Sequence, residues 1–210
     1  RELSLEQIKF ITQHASIETE VFVHGALCFC HSGQCYMSSL IGRRSGNRGM
    51  CAQPCRLQYS LGGRMDDYPL SLKDNCLVDR LHELEEAGVA CVKIEGRMKR
   101  PEYTAIVTGV YSKALRSGLP PAEEDMELLE KAFSRQGFTQ GYFNGDKQDM
   151  IGVRGEPDRE TDKLFSDARK AYSDGEMRRV PNHFYTVAKK GERIQAIAFD
   201  DEGNKAVAFG

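Results

Sequence analysis

The chain has 210 residues, 40% of them hydrophobic, with 29 basic against 31 acidic side chains. That is enough apolar material for one large domain or two small ones, and the near-neutral balance excludes a global field for nucleic acid, so any RNA contact must come from a local patch. No apolar run approaches the roughly 20 residues a membrane span needs.

The opening Arg1-Glu-Leu-Ser runs straight into a charged, periodic stretch, with no signal peptide. A start on Arg without Met reads as a fragment or a processed product. Ser4-Leu-Glu-Gln7 is a capping box, and Leu5, Ile8 and Ile11 continue it at helical spacing. Residues 20–24 alternate and are rich in Val and Phe, which predicts a short strand. From 25 to 63 glycine, serine and cysteine dominate, a loop with a short helix or strand near 36–41. Leu70-Ser-Leu is a second short strand. Asp74 can cap a helix to about residue 87, with Leu77, Leu81 and Leu84 on one face and Gly88 as its stop. Residues 89–94 read as a buried strand. Pro101 suits the first position of a helix ending at Gly118, and another helix runs over 122–134.

Alternating αβ units predict an α/β fold with a parallel sheet. The length falls short of a complete eight-stranded barrel of ~250 residues, so the expectation is the carboxyl-terminal part of a TIM-like barrel over residues 1–145. A polar connecting segment with one helix near 161–172 occupies 146–180. From 181 to 210 three period-two stretches predict the start of an antiparallel β module. Three strands are few for a stable face, so the module reads as truncated.

Six of the seven cysteines lie between positions 28 and 76. An odd count without a secretory signal favours metal-bound thiolates in a reduced, cytoplasmic setting over disulfides. Cys28 and Cys35 form one pair, Cys51 and Cys55 another. Six residues inside the first pair is wide for a zinc knuckle. Irregular spacing along a glycine-rich loop suits an iron–sulfur cluster, whose corners lie several bonds apart. Cys28, Cys35 and Cys51 are the first three candidate ligands. The fourth is Cys55, which shares the loop, or Cys76, which the expected helix would place at its positive end. Cys30 is a spare thiol, and Cys91 reads as a small buried residue.

Lys93, Glu95 and Arg97 alternate across the end of a strand, which puts two cations and a carboxylate on one face. They can bind a dicarboxylate, with Arg97 gripping it bidentately, or form a buried ion pair. Glu20 is a candidate acid–base group at a strand edge. Arg43, Arg44, Arg48, Arg56 and Arg64 make the cysteine loop basic, which suits RNA phosphates, a solvated loop, or positive charge that balances a thiolate-rich cluster. Tyr36 and Tyr59 can stack bases or pack beneath the loop. No Gly-x-Ser-x-Gly or His-Glu-x-x-His pattern occurs.

Residues 20–38 resemble the signature of peptidase family U32, the collagenase-like peptidases. Glu20, Phe22, Gly25, Ala26, Leu27, Cys28, Gly33, Cys35, Met37 and Ser38 match without a gap. Asn47-Arg-Gly-Met-Cys51-Ala-Gln-Pro-Cys55-Arg56 and Val92-Lys-Ile-Glu95-Gly-Arg97-Met-Lys-Arg-Pro101 look like the same family. Gly137-Phe-Thr-Gln-Gly-Tyr-Phe-Asn-Gly145 and the β module resemble its long branch, which includes ribosomal-RNA cytidine hydroxylases. The resemblance implies a 4Fe-4S cluster on cysteines and C5-hydroxylation of a pyrimidine in ribosomal or transfer RNA. It also implies prephenate as a co-substrate, and on the reading of the residues above Lys93 and Arg97 are the candidates to hold it, with Glu95, Arg97, Lys93 and Glu20 the catalytic candidates. It further implies a sheet-forming segment before residue 1. Collagenase-like proteolysis is the alternative. It needs a free, activated thiolate, which metal ligation removes.

Overall fold

Val21 and Val23 alternate inward along β1 (Glu20–Ala26), and this pattern builds the sheet on which the molecule rests. The computed structural model describes residues 1–96, 99–153, 159–173, 182–191, 193–200, 203 and 205–209. They fall into two units, Arg1–Lys170 and Ala171–Gly210.

In the first unit, α1 (Leu5–His14) begins at the expected capping box. The Ser4 Oγ accepts from the Gln7 backbone, and the Gln7 side chain accepts from the Ser4 backbone. After β1 come the cysteine loops with α2 (Met37–Gly42), then the hairpin β2 (Tyr59–Leu61) and β3 (Arg64–Asp67), and β4 (Asp74–Cys76). There follow α3 (Leu81–Glu86), β5 (Cys91–Ile94), α4 (Pro101–Ser117), α5 (Glu123–Ala132), β6 (Phe138–Thr139), α6 (Gly141–Asn144) and α7 (Arg159–Ser173). The sheet order is β5-β1-β4-β6.

The unit is α/β, but its sheet is mixed. β1 runs parallel to β5, β4 parallel to β6, and β1 antiparallel to β4. The expected all-parallel arrangement needs a helical crossover between neighbouring strands. The path from β1 to β4 is instead a long excursion through the cysteine loops and a hairpin, which returns the chain in the opposite direction. Among the described residues the four strands form one sheet running from β5 to β6.

Two further expectations are corrected. The strand near residue 70 forms at Asp74–Cys76, while Leu72 makes only a single bridge to Ile151. Asp74 therefore caps no helix. It is buried, and both its oxygens accept from Nη1 of Arg135, at 2.6 and 2.8 Å. Neutralised this way, a carboxylate is tolerated inside the fold. Cys91 is exposed rather than buried, because β5 is an edge strand in which only alternate residues turn towards the helices.

The core lies between the sheet and α3, α4 and α5. Leu84, Tyr103, Val107, Tyr111 and Leu129 are buried there with Val23. Tyr111 ties the layers together. Its hydroxyl donates to the Val23 carbonyl at 2.9 Å and accepts from the Leu77 amide at 3.2 Å. His24 is wholly buried beside it, with Nδ1 3.3 Å from the same hydroxyl and its ring against Tyr103 and Phe138. Burial, helped by the charge of Lys99, pushes the His24 imidazole down to about 3. It is a neutral core histidine.

Gly25 (φ +109°) stands opposite Glu95. A Cβ here would sit 2.8 Å from both Cβ and the carbonyl oxygen of Glu95. Only glycine permits this close approach, which sets Glu95 against the end of β1 through a bond from its amide to the His24 carbonyl.

The second unit holds β7 (Asn182–Val187), β8 (Gln195–Asp200) and β9 (Lys205–Phe209), paired antiparallel in that order, as the period-two pattern predicts. The polar turn at 200–204 lies largely outside the described residues.

The buried histidine makes stability pH-dependent. Between about pH 6.5 and 3 the unfolded chain takes a proton on His24 that the folded chain refuses, so this contribution is present above 6.5 and is lost as pH falls. The difference in unfolding free energy between the native chain and His24→Phe should shift by about 1.4 kcal/mol per pH unit over this range. Urea titrations at pH 7, 6, 5 and 4 measure it, and a constant difference would contradict a neutral buried imidazole.

Candidate functional site

β1 ends at Ala26, and Leu27 anchors the chain in a small second core with Leu72 and Met150. The next residue is Cys28. From here the loops fold back on one another through bonds made almost entirely by groups other than the sulfurs. The Asn47 side chain donates to the Gly33 carbonyl at 3.0 Å, joining the Cys28–Cys35 loop to the one that leads to Cys51. Ser38, buried on α2, accepts from the Ala52 amide at 2.9 Å. Tyr59 donates to the Pro54 carbonyl at 2.9 Å, so it supports the loop from beneath.

Arg56 is the strongest tie. Its Nη1 donates to the Leu72 carbonyl at 2.6 Å and Ser71 Oγ at 3.2 Å, and its Nη2 to the Leu27 carbonyl at 2.5 Å. The guanidinium expected to grip RNA is thus turned inward. Between the paired cysteines, Gln53 is held at φ +56°, a left-handed conformation that costs a non-glycine residue roughly 1 kcal/mol or more.

Together these ties place Cys28, Cys35, Cys51 and Cys55 around one cavity of 290 Å³, with Glu95, Arg56 and Gln53 also in its wall. The Cys55 thiol feels the other three sulfurs. Burial, and then the neighbouring sulfurs, push the Cys55 thiol up, while Arg56 opposes the shift. Cys30 hydrogen-bonds Cys35 and its thiol is also pushed up, first by burial.

Cys76 is elsewhere. It lies in β4 rather than at a helix start, is 2% exposed, and faces the Tyr111 hydroxyl at 3.8 Å. Burial pushes its thiol up to about 11. The structure separates it from the other four.

A single tetrahedral metal ion needs its sulfurs converging to about 2.3 Å from one point. Among the described residues no group of three or more His, Cys, Asp or Glu side chains is placed to hold a metal ion. The four cysteines that line one chamber are, by chemical type, donors that an iron–sulfur cluster takes.

The charged trio is divided. Glu95 reaches the sulfur chamber, with its carboxylate 3.5 Å from Arg1 Nη1. Lys93 does not. Its ammonium sits 2.6 Å from Glu20 and 5.1 Å from the Phe22 ring centre, on the exposed side of the sheet. The Lys93 hydrogen bond, then that of Cys91, hold the Glu20 carboxyl below its usual range. Arg97 and Met98, and the side chain of Arg64, lie outside the described residues.

A second cavity, of 500 Å³, adjoins the first and shares Ala26, Gln53, Arg56 and Glu95 with it. Lys99, Arg100 and Arg135 line it, with Tyr103, Phe133 and Phe165. The sequence reading missed this chamber. Arg135 and Asp74 lie 61 positions apart, and no local pattern announces such a pair. Outside the chambers, Arg43, Arg44, Arg48 and Tyr36 are exposed around α2.

Residues 1–151 match the family model described as peptidase family U32. The chain belongs to this family. It is 40% identical over 168 residues to the 23S rRNA 5-hydroxycytidine C2501 synthase of Escherichia coli, an alignment covering 71% of this chain and 26% of that protein. It is 34% identical over 163 residues to tRNA hydroxylation protein P1 of Bacillus subtilis, covering 69% of this chain and 38% of the relative. A collagenase of Porphyromonas gingivalis is 33% identical over 172 residues, covering 70% and 41%. The chain therefore spans between about a quarter and two fifths of these relatives' length. No solved structure matches it.

The two cysteine environments are separable by chemistry. In native, metal-free protein at pH 8, Cys51 is exposed, whereas Cys76 is buried with its thiol held near 11. Iodoacetamide should label Cys51 about 100-fold faster than Cys76 or more. Peptide mass spectrometry of a time course checks this, and equal rates would contradict the placement of β4.

Proposed function

We propose that this chain carries the cluster-binding part of an iron–sulfur enzyme that hydroxylates C5 of a pyrimidine in ribosomal or transfer RNA. The observation that carries the reading is the gathering of Cys28, Cys35, Cys51 and Cys55 around one chamber, bordered by Glu95. The relatives named for ribosomal- and transfer-RNA hydroxylation support it.

On this reading the four cysteines hold a 4Fe-4S cluster, with Cys55 rather than Cys76 as the fourth ligand. When bound, it supplies the one-electron chemistry that side chains lack. Ligation requires thiolates, and Arg56, already beside Cys55, offsets part of their charge. Glu95 holds or moves a proton at the boundary of the two chambers, its carboxylate kept in place by Arg1 and the close approach at Gly25. The co-substrate is prephenate. Lys93 is engaged by Glu20, so the carboxylates of that molecule need other cations than the pair expected from the sequence. RNA phosphates meet the exposed Arg43 and Arg48, with Tyr36 available to a base. Among the described residues no helix is long and apolar enough to cross a membrane.

The peptidase reading rests on the collagenase names among the relatives. It requires a cysteine or another nucleophile to remain free, and the four thiols that line the chamber are those assigned to the cluster.

Protein purified without oxygen should hold about four irons and matching sulfide per chain. Cys28→Ser, Cys35→Ser, Cys51→Ser and Cys55→Ser should each lose most of it, and Cys76→Ser should keep it. Glu95→Gln should retain iron and lose hydroxypyrimidine in the RNA of a complemented deletion strain, read by nucleoside mass spectrometry. Iron-free protein that still restored the modified nucleoside would overturn the reading, and gelatin cleavage surviving iron removal would favour the peptidase.

A further inference from the structure

The loop from Cys28 to Cys35 carries a fifth thiol. Among the described residues, the wall of the sulfur chamber includes Cys28, Cys35, Cys51 and Cys55 but not Cys30. Cys30 instead hydrogen-bonds Cys35. Cys28, two positions away, acts on it only through charge.

The backbone explains the meeting. The Gln34 amide donates to the His31 carbonyl at 3.0 Å. Gly33 takes φ +79°, a left-handed conformation open to glycine without strain. Residues 31–34 therefore make a tight turn with Cys30 and Cys35 at its two feet. Three side chains bolt the tip. Arg1 donates to Ser32 Oγ at 3.1 Å, Ser32 donates to Glu2 at 2.6 Å, and Asn47 donates to the Gly33 carbonyl at 3.0 Å. Both cysteines are half-buried, within reach of a small solute. Two thiols already in hydrogen-bond contact across a closed turn need only a small shift to join.

We propose that Cys30 and Cys35 form a reversible disulfide in the iron-free loop, and that this bond withholds Cys35 from the sulfur chamber. The reaction is exchange with a low-molecular-weight disulfide such as oxidised glutathione. The Cys30 thiolate attacks one glutathione sulfur, and the other glutathione leaves as a thiolate. The Cys35 thiolate then attacks the Cys30 sulfur of the mixed disulfide and releases the second glutathione. The two cysteines give up two electrons and two protons, and oxidised glutathione gains both as two thiols. Excess reduced glutathione runs the sequence backwards. Cys30 stands outside the wall that Cys35 helps to form, so the bond ties Cys35 to a sulfur the chamber does not hold. The value of this guard for iron rests on the cluster reading above, whereas the pair itself does not.

Peptide mass spectrometry tests the pair. The purified, iron-free chain is equilibrated with oxidised glutathione, blocked with iodoacetamide and cut with chymotrypsin. Cleavage after Phe29 and Tyr36 yields a peptide, 30–36, that contains both cysteines. It should appear mainly as the unalkylated disulfide and become doubly alkylated when dithiothreitol precedes the block. Cys35 recovered alkylated, capped by glutathione, or joined to Cys28, Cys51 or Cys55 would overturn the pairing. Cadmium, a soft ion that takes thiolates, tests the consequence without iron or sulfide. Its sulfur-to-metal absorption should show the oxidised chain binding about tenfold more weakly than the reduced chain. Reduced Cys30→Ser, with its thermal midpoint unchanged, should bind cadmium as the reduced native chain does. Equal binding by the oxidised and reduced chains, or a comparable loss in reduced Cys30→Ser, would overturn the guarding role. Iron and sulfide content, measured separately, reports on the cluster reading alone.

Discussion

The cysteine loops depend on one guanidinium. Arg56 follows Cys55 directly and reaches three places at once: the end of β1 at Leu27, the Leu72 carbonyl and the Ser71 hydroxyl. A glycine-rich excursion of this length has no helix or strand long enough to fix its ends, and ordering it opposes folding by roughly 1–2 kcal/mol per residue. Charge-assisted bonds to buried carbonyls are among the few local interactions strong enough to offset part of that. They do so beside the last cysteine of the set, so the clamp that closes the loop also positions a sulfur.

The sheet supplies the second constraint. Between Phe22 and His24 the register of β1 against β5 slips. Past that slip, Gly25 lets the backbone of Glu95 come closer than any side chain would allow. Glu95 thus leaves the edge strand and enters the wall of the sulfur chamber, whereas Lys93, two residues earlier, stays on the exposed face with Glu20. Simple alternation puts the two side chains to one common use. The bulge and the acid on the neighbouring strand divide them. Charge pairing across strands, not periodicity along one strand, decides which residue is available for chemistry.

This difference marks how far the sequence could be read. The cysteines were legible because they are close in the chain, and the loop that carries them has no competing hydrophobic period. The capping box at Ser4, the helix stop at Gly118 and the period-two stretches after residue 181 were legible for the same local reason. Asp74 was misread because an acid before a leucine-rich helix is a good cap in isolation. Its true partner, Arg135, is distant in sequence, and the ion pair outweighs the cap. Cys76 was misplaced with it. The cation-lined chamber rests wholly on such distant meetings, and a single sequence holds no signal for them.

Arg56 also joins the two chambers electrically. In the sulfur chamber, burial and neighbouring sulfurs push the Cys55 thiol up, while Arg56 alone among the named charges pulls it down. In the other chamber the same guanidinium is pulled below its ordinary value, first by burial and then by Arg135. Negative charge placed on either side relieves a different strain on one residue. Arg56 is steadied against burial and Arg135 by the sulfurs of Cys55 and Cys28 and by Asp74, so one residue carries the charge balance of the wall that the two chambers share.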